Sequence, residues 1–177
     1  MNICVFCSAN DNIDRDYFVA TEELGRWIAE NGHTLVFGGC NMGLMECVAK
    51  SVKDNGGTTV GVVPKKIEER GRVSEYVDRR IDCNNLSDRK QIMLEQSDIF
   101  VALPGGIGTL DEIFAVASSS TIGYHAKRVI LYNVKNFYAP LSSLLHHLDA
   151  QGLLRGSCSQ YIQTADTLEE LADIISL

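Results

Sequence analysis

The sequence predicts an α/β fold: a single-domain, Rossmann-like open parallel sheet with helices on both faces. Three observations carry this expectation. Short β-rich runs alternate with longer segments of helical periodicity. Four of the five main β-rich runs are apolar almost throughout, as strands covered on both faces must be. The chain has 177 residues, 45% hydrophobic and 22% charged, which suits one well-buried core spanning 1–177.

The elements follow in order. Strands are expected at "NICVFCS" (2–8), "HTLVFGG" (33–39), "TTVGVVP" (58–64), "DIFVALPGG" (98–106) and "RVILYN" (128–133). Helical spacing of apolar residues marks 14–31, 43–55, 87–97, 109–120 and 137–150. A short "YIQTA" (161–165) and a last helix from about Thr167 finish the chain. The three prolines, Pro64, Pro104 and Pro140, fall at the edges of these elements, and no linker or repeat divides the chain. The polar stretch 65–82, "KKIEERGRVSEYVDRRID", reads as an exposed crossing over the top of the sheet and as a candidate to close over a ligand.

Composition removes several classes of function. The formal net charge of −7 argues against a broad nucleic-acid surface, which needs a clustered basic stripe, but leaves room for a small anionic ligand held by a few local donors. No apolar run reaches the ~20 residues of a membrane span, so no membrane association is expected and the location expected is cytoplasmic. The six cysteines are scattered, which suits free thiols in a reducing compartment. Cys4 and Cys7 form C-x-x-C, but odd spacing along a strand sends the two side chains to opposite faces. No metal site is expected, and His146 and His147 read as part of an amphipathic helix.

Strands of a parallel sheet end on one edge, where ligands of open α/β sheets usually bind. Two glycine-rich turns are expected there: "FGGCNMGLME" (37–46) after the second strand and "LPGGIGTLDE" (103–112) after the fourth. Gly105, Gly106 and Gly108 bare the backbone N–H groups at a strand-to-helix turn, and the following helix adds its positive dipole end. That suits a phosphate. The spacing matches neither a Walker motif, whose lysine is missing, nor the dinucleotide G-x-G-x-x-G. Glu112 has two readings. With Thr109 as N-cap, "TLDE" is a T-x-x-E capping box; equally, the carboxylate lies at the mouth of the site.

The segment "SDRKQIMLEQSD" (87–98) opens with Arg89 and Lys90 and closes with Glu95 and Asp98, against the helix dipole at both ends. Local rule-breaking of this kind is expected at functional sites. A helix of about 11 residues at ~1.5 Å per residue runs nearly the length of a five-residue strand, so its start returns to the edge with the glycine turns. Arg89 is then a candidate fork for a phosphate or a hydroxyl-rich ligand.

At these residues the chain resembles the Lonely Guy family, the cytokinin riboside 5′-monophosphate phosphoribohydrolases long labelled lysine decarboxylases. The pattern P-G-G-x-G-T-x-x-E is complete from Pro104 to Glu112, and the arginine-lysine pair is present as Arg89 and Lys90. The pattern G-G-x-x-x-G-L-M is present as Gly38, Gly39, Gly43, Leu44 and Met45, and "IGYHAKRV" (122–129) is similar to the family's segment after the motif helix. The resemblance implies hydrolysis of the N-glycosidic bond of a nucleoside 5′-monophosphate, AMP or a cytokinin nucleotide, to free base and ribose 5-phosphate. It implies Arg89 and Glu112 as the catalytic pair. Substrate binding falls to Ser8, Gly38, Gly39, Gly43, Met45, Lys90, Pro104, Gly105, Gly106, Gly108 and Thr109. It implies no cofactor, and a homodimer. A decarboxylase would need a pyridoxal-phosphate lysine, which no feature singles out.

The chain departs from the family pattern at four places. Cys40 replaces the third glycine of the first turn and Glu46 the last, Asp88 replaces a glutamate, and Ser119 stands where a tryptophan is common. Cys40 and Glu46 are expected to form a bulkier, more acidic wall near the base and ribose. The rival reading is a non-catalytic carrier of molybdenum cofactor or another phosphorylated ligand on the same scaffold. Retention of both Arg89 and Glu112 favours the enzyme.

Overall fold

The computed structural model describes residues 1–176, and its strands form one seven-stranded, all-parallel sheet. The strands are β1 (Asn2–Phe6), β2 (Thr34–Phe37), β3 (Thr58–Pro64), β4 (Arg79–Cys83), β5 (Ile99–Ala102), β6 (Val129–Tyr132) and β7 (Ile162–Ala165). The helices are α1 (Arg15–Glu30), α2 (Gly43–Asp54), the short α3 (Lys65–Glu69), α4 (Leu86–Gln96), α5 (Ile107–Thr121), α6 (Ala139–Ala150) and α7 (Leu168–Ser176). The strand order is β4-β3-β2-β1-β5-β6-β7. The chain thus winds outward from β1 to one edge, returns through α4, and winds outward the other way from β5. Its switch point lies between β1 and β5, and the crevice at their carboxyl ends is where such sheets bind ligands.

Alternation along the strands divides the core in two. Ile3, Val5 and Cys7 pack on one face with Leu24 and Ile28 of α1, Val48 of α2 and Leu171 of α7. Cys4 and Phe6 pack on the other with Met93 of α4, Ile113 and Val116 of α5 and Leu145 of α6. The two cysteines of the C-x-x-C accordingly lie on opposite faces, and all six cysteines are free.

Two expectations fail. The crossing 65–82 contains a strand, β4, which pairs with β3 from Val60↔Arg79 to Pro64↔Cys83. It escaped a hydrophobicity reading because it is an edge strand, with Arg79, Arg80 and Asp82 exposed as edge strands often require. Before it, the chain is tied down rather than free: Cys40 and Val73 form an antiparallel bridge, Asn41 N–H donates to the Arg72 carbonyl, and Ser74 N–H to that of Gly39. The second failure concerns α5. It begins at Ile107 with Gly106 as N-cap, so Thr109 is its third residue and Glu112 lies too far along the helix to close a capping box.

Candidate active site

Three loops meet at the switch point. The Ser8 N–H donates to the Pro104 carbonyl at 3.1 Å, and Leu44 N–H donates to the Ser8 carbonyl at 2.9 Å. Gly43 N–H donates to Asp11 Oδ1 at 2.8 Å. Gly43 has φ +57, and a Cβ on it would lie 2.6 Å from the backbone of Ala9 and Asn10, so only glycine lets the first turn sit this close to the β1–α1 loop. From below, the buried Tyr138 hydroxyl donates to the Leu103 carbonyl at 2.7 Å and holds the second turn.

The second turn leaves its donors open. Helix α5 starts at the turn, and the first N–H groups of a helix have no partner within it. A Cβ added at Gly106 or Gly108 would meet nothing within 4 Å, so packing within the chain does not demand glycine there, whereas at Gly105 it would strike the Thr109 hydroxyl at 2.1 Å. The space over Gly106 and Gly108 opens into a cavity of about 360 Å³ also lined by Ser8, Asn10, Arg89 and Glu112. Positive dipole, bare N–H groups and a guanidinium together give this cavity the chemistry that suits an anion.

Arg89 and Glu112 meet across this cavity, Nη1 to Oε1 at 3.6 Å, with side chains only 12% and 8% exposed. That separation is too long for a hydrogen bond, so both groups keep bonding capacity for a ligand. Arg89 Nε is buried and has no partner within the chain. The guanidinium lies against Gly38, where a Cβ would come within 1.7 Å of Nη2. The glycine exists to admit the arginine. Burial pushes the Glu112 carboxyl above the ordinary glutamate range, and the Arg89 charge opposes that shift.

Arg89 reaches the site because Asn85 caps α4, its Oδ1 accepting from Ser87 and Asp88 N–H, which anchors the helix start despite the unfavourable dipole. The expected residues then divide by position. Ser8, Met45, Arg89, Gly106, Gly108, Thr109 and Glu112 line the cavity. Gly38, Gly39, Gly43, Pro104 and Gly105 are absent from its lining and shape the backbone around it. Lys90 points elsewhere, with Nζ 2.8 Å from both Asp111 oxygens, and lines a larger cavity of about 780 Å³ that shares Glu112. Glu46 does not form a wall here. It lines a third cavity with Asp11 and Asn41, beyond the first glycine turn, because its place on α2 turns it away from Met45. Reading the sequence missed Cys7 and Asn10 in the lining and Tyr138 beneath; the first two follow the end of β1, which the switch-point rule would have marked.

Residues 45–175 match the family model described as possible lysine decarboxylase. The chain is 37% identical over 169 residues to the probable cytokinin riboside 5′-monophosphate phosphoribohydrolase LOGL1 of Oryza sativa subsp. japonica, covering 96% of this chain and 76% of that protein. It is 34% identical over 169 residues to the cytokinin riboside 5′-monophosphate phosphoribohydrolase LOG3 of Arabidopsis thaliana, covering 96% and 79%. Among solved structures, the Moco carrier protein of Chlamydomonas reinhardtii superposes with a TM-score of 0.76 at 26% identity, covering 99% of this chain and 94% of that one. With the family model matching most of its length and these relatives aligned over 96% of it, the chain belongs to the Lonely Guy family of cytokinin riboside 5′-monophosphate phosphoribohydrolases.

Proposed function

We propose that the protein is a phosphoribohydrolase that cleaves the N-glycosidic bond of a nucleoside 5′-monophosphate, AMP or a cytokinin riboside monophosphate, to free base and ribose 5-phosphate. One observation carries the reading: a nearly buried Arg89–Glu112 pair, not hydrogen-bonded to each other, stands beside an open, donor-lined glycine turn. The turn from Gly105 to Thr109 takes the 5′-phosphate on backbone N–H groups and the dipole of α5. Arg89 fixes the substrate through its free Nε and its Nη groups.

In the reaction the C1′–N bond breaks with its electron pair leaving on the base, and the ribose acquires oxocarbenium character. The Glu112 carboxylate stabilises that charge, which burial makes more effective than in water. It then takes a proton from the attacking water as the water oxygen bonds C1′. That proton passes on from Glu112 to the departing base, directly or through solvent, which restores the carboxylate, so one water is consumed overall.

The same proposal includes a homodimer, as the family resemblance implies. Exposed apolar side chains on and beside α5, Ile107, Phe114, Ile122 and Tyr124, support a contact there. It also includes a cytoplasmic setting, supported by the six free cysteines. No described helix is long and apolar enough to cross a membrane.

A carrier is the second reading, favoured by the likeness to the Moco carrier fold. One experiment separates the two: purified protein incubated with AMP and, separately, with isopentenyladenosine monophosphate, following free base and ribose 5-phosphate by chromatography. Release that disappears in Glu112→Gln supports the hydrolase. Retained binding of a phosphorylated ligand without release supports the carrier.

A further inference from the structure

We propose that Asn133 and Tyr138 are positioning residues for the phosphate turn: together they set the Leu103 carbonyl, and through it the path of the chain into Gly105–Thr109. The inference rests on the phosphoribohydrolase reading and adds to it two residues that touch no substrate.

The turn is fixed through its carbonyls. Strand β5 ends at Ala102, where its pairing with β6 also stops, so the carbonyl of the buried Leu103 lies past the sheet ladder. A buried carbonyl needs a donor. The Tyr138 hydroxyl supplies it, from a side chain buried under the turn. One residue later, the Pro104 carbonyl accepts from the Ser8 N–H. Proline has no N–H of its own, so these two carbonyls anchor the strand end just before the glycines begin. Glycine backbone has no side chain to limit its conformation, and its course depends on what holds its ends.

Tyr138 is itself held. Its N–H donates to Asn133 Oδ1 at 2.7 Å, Asn133 Nδ2 donates to Asp166 Oδ1 at 2.7 Å, and the Asn133 N–H donates to the Ala165 carbonyl at 2.8 Å. Asn133 is buried, and a carboxamide engaged at both ends has one orientation. Between the two residues the chain doubles back through Lys135 and Asn136, at φ 53 and φ 59. Neither is glycine, and a left-handed pair of this kind persists only where its surroundings hold it. Lys135 Nζ does so from outside, 2.8 Å from Asp14 and 2.7 Å from Asp16 at the start of α1. Strain of this kind clusters at functional sites, and the network built on this turn ends at the Leu103 carbonyl. The anchor precedes the glycine turn, whereas Glu112 stands in the second turn of α5 and Arg89 on α4. Its loss therefore falls on the phosphate contacts, which substrate and transition state share, and so on KM rather than kcat.

The test uses Tyr138→Phe, which removes the hydroxyl and keeps the ring. The KM for AMP is expected to rise about tenfold with kcat kept within about twofold. The affinity for ribose 5-phosphate, measured by calorimetry, is expected to fall about tenfold as well. Asn133→Ala is expected to act in the same direction. The double variant is expected to stay within about twofold of the more affected single variant, because both act through one carbonyl. A role in stability alone would lower the melting temperature and leave KM unchanged. Circular dichroism confirms folding, and either single variant carries the test if the other does not fold. Unchanged KM and unchanged affinity in a folded variant, a loss confined to kcat, or losses that add in the double variant overturn the proposal while leaving the hydrolase intact. If the wild-type protein releases no base, the hydrolase reading falls, and the ribose 5-phosphate affinities decide the positioning role. They must then drop in Tyr138→Phe, and an unchanged affinity, or no binding to the wild-type protein, overturns it.

Discussion

Arg89 and Glu112 stand 3.6 Å apart although 23 positions separate them, because α4 and α5 flank β5 and both begin at its carboxyl edge. Their pairing sets a buried carboxylate beside a nearly buried guanidinium at the open glycine turn. Glu112→Gln keeps the shape of the side chain and removes its charge. Base release is expected to fall by about 10³-fold with nucleotide affinity retained, whereas Arg89→Ala is expected to lower both. Single-turnover assays with calorimetry check this, and full activity in Glu112→Gln would reduce that residue to a packing role.

The pH dependence follows from burial. Glu112 titrates above its ordinary value of 4.5 because desolvation disfavours its charged form, with Arg89 pulling the other way. Turnover that needs ionised Glu112 is therefore lost as the pH falls through that raised value, sooner than for an exposed glutamate. Replacing Arg89 with Leu removes the opposing charge and is expected to move the titration higher still. Carbon-detected NMR of labelled Glu112 measures both, and a midpoint at or below the ordinary value would contradict the assignment.

Stability and binding are expected to part at Gly108. The residue is inside α5 and a Cβ there meets open space, so Gly108→Ala should stabilise the fold by about 0.5–1 kcal/mol. The same methyl group projects toward the anion site and is expected to raise the KM for a nucleotide about tenfold. A thermal melt and a substrate titration on one variant test the two signs together. Equal KM values would remove Gly108 from the ligand contact.

Gly38 gives a test of Arg89 that leaves Arg89 in place. A Cβ there would come within 1.7 Å of Nη2 and 3.1 Å of the Met45 sulfur, both near the ends of flexible side chains. Gly38→Ala is therefore expected to fold while displacing the guanidinium, and to lower kcat/KM by about 10²-fold, as Arg89→Ala does. Near-normal kcat/KM in a folded Gly38→Ala protein would show that the position of Arg89 is not critical.

Much of this architecture is local in origin. The apolar runs at 2–8, 98–106 and 128–133 became β1, β5 and β6 because strands covered on both faces have no polar face to confuse the pattern. Helix limits were matched within two or three residues where a cap or a glycine marks them, as at Asp14 and Gly43. β4 was not legible because an edge strand shows its charges to water, so its sequence resembles a loop. The start of α5 is hidden for a related reason. Thr109 has the chemistry of a cap, but the backbone turns into the helix at Gly106, where no side-chain signal exists.

Periodicity and turn chemistry act over a few neighbouring residues, and they suffice to order the main elements other than β4 and the short α3, to put two glycine turns on one sheet edge, and to make Arg89 and Glu112 candidates. Packing between distant elements sets which side chains share a cavity. It turned Lys90 toward Asp111 and Glu46 away beyond the first turn, and it set Gly38 under the Arg89 guanidinium. Those outcomes depend on how helices far apart in the chain settle on a twisted sheet, and a rotation of one residue, about 100° on a helix, is enough to exchange one cavity for another.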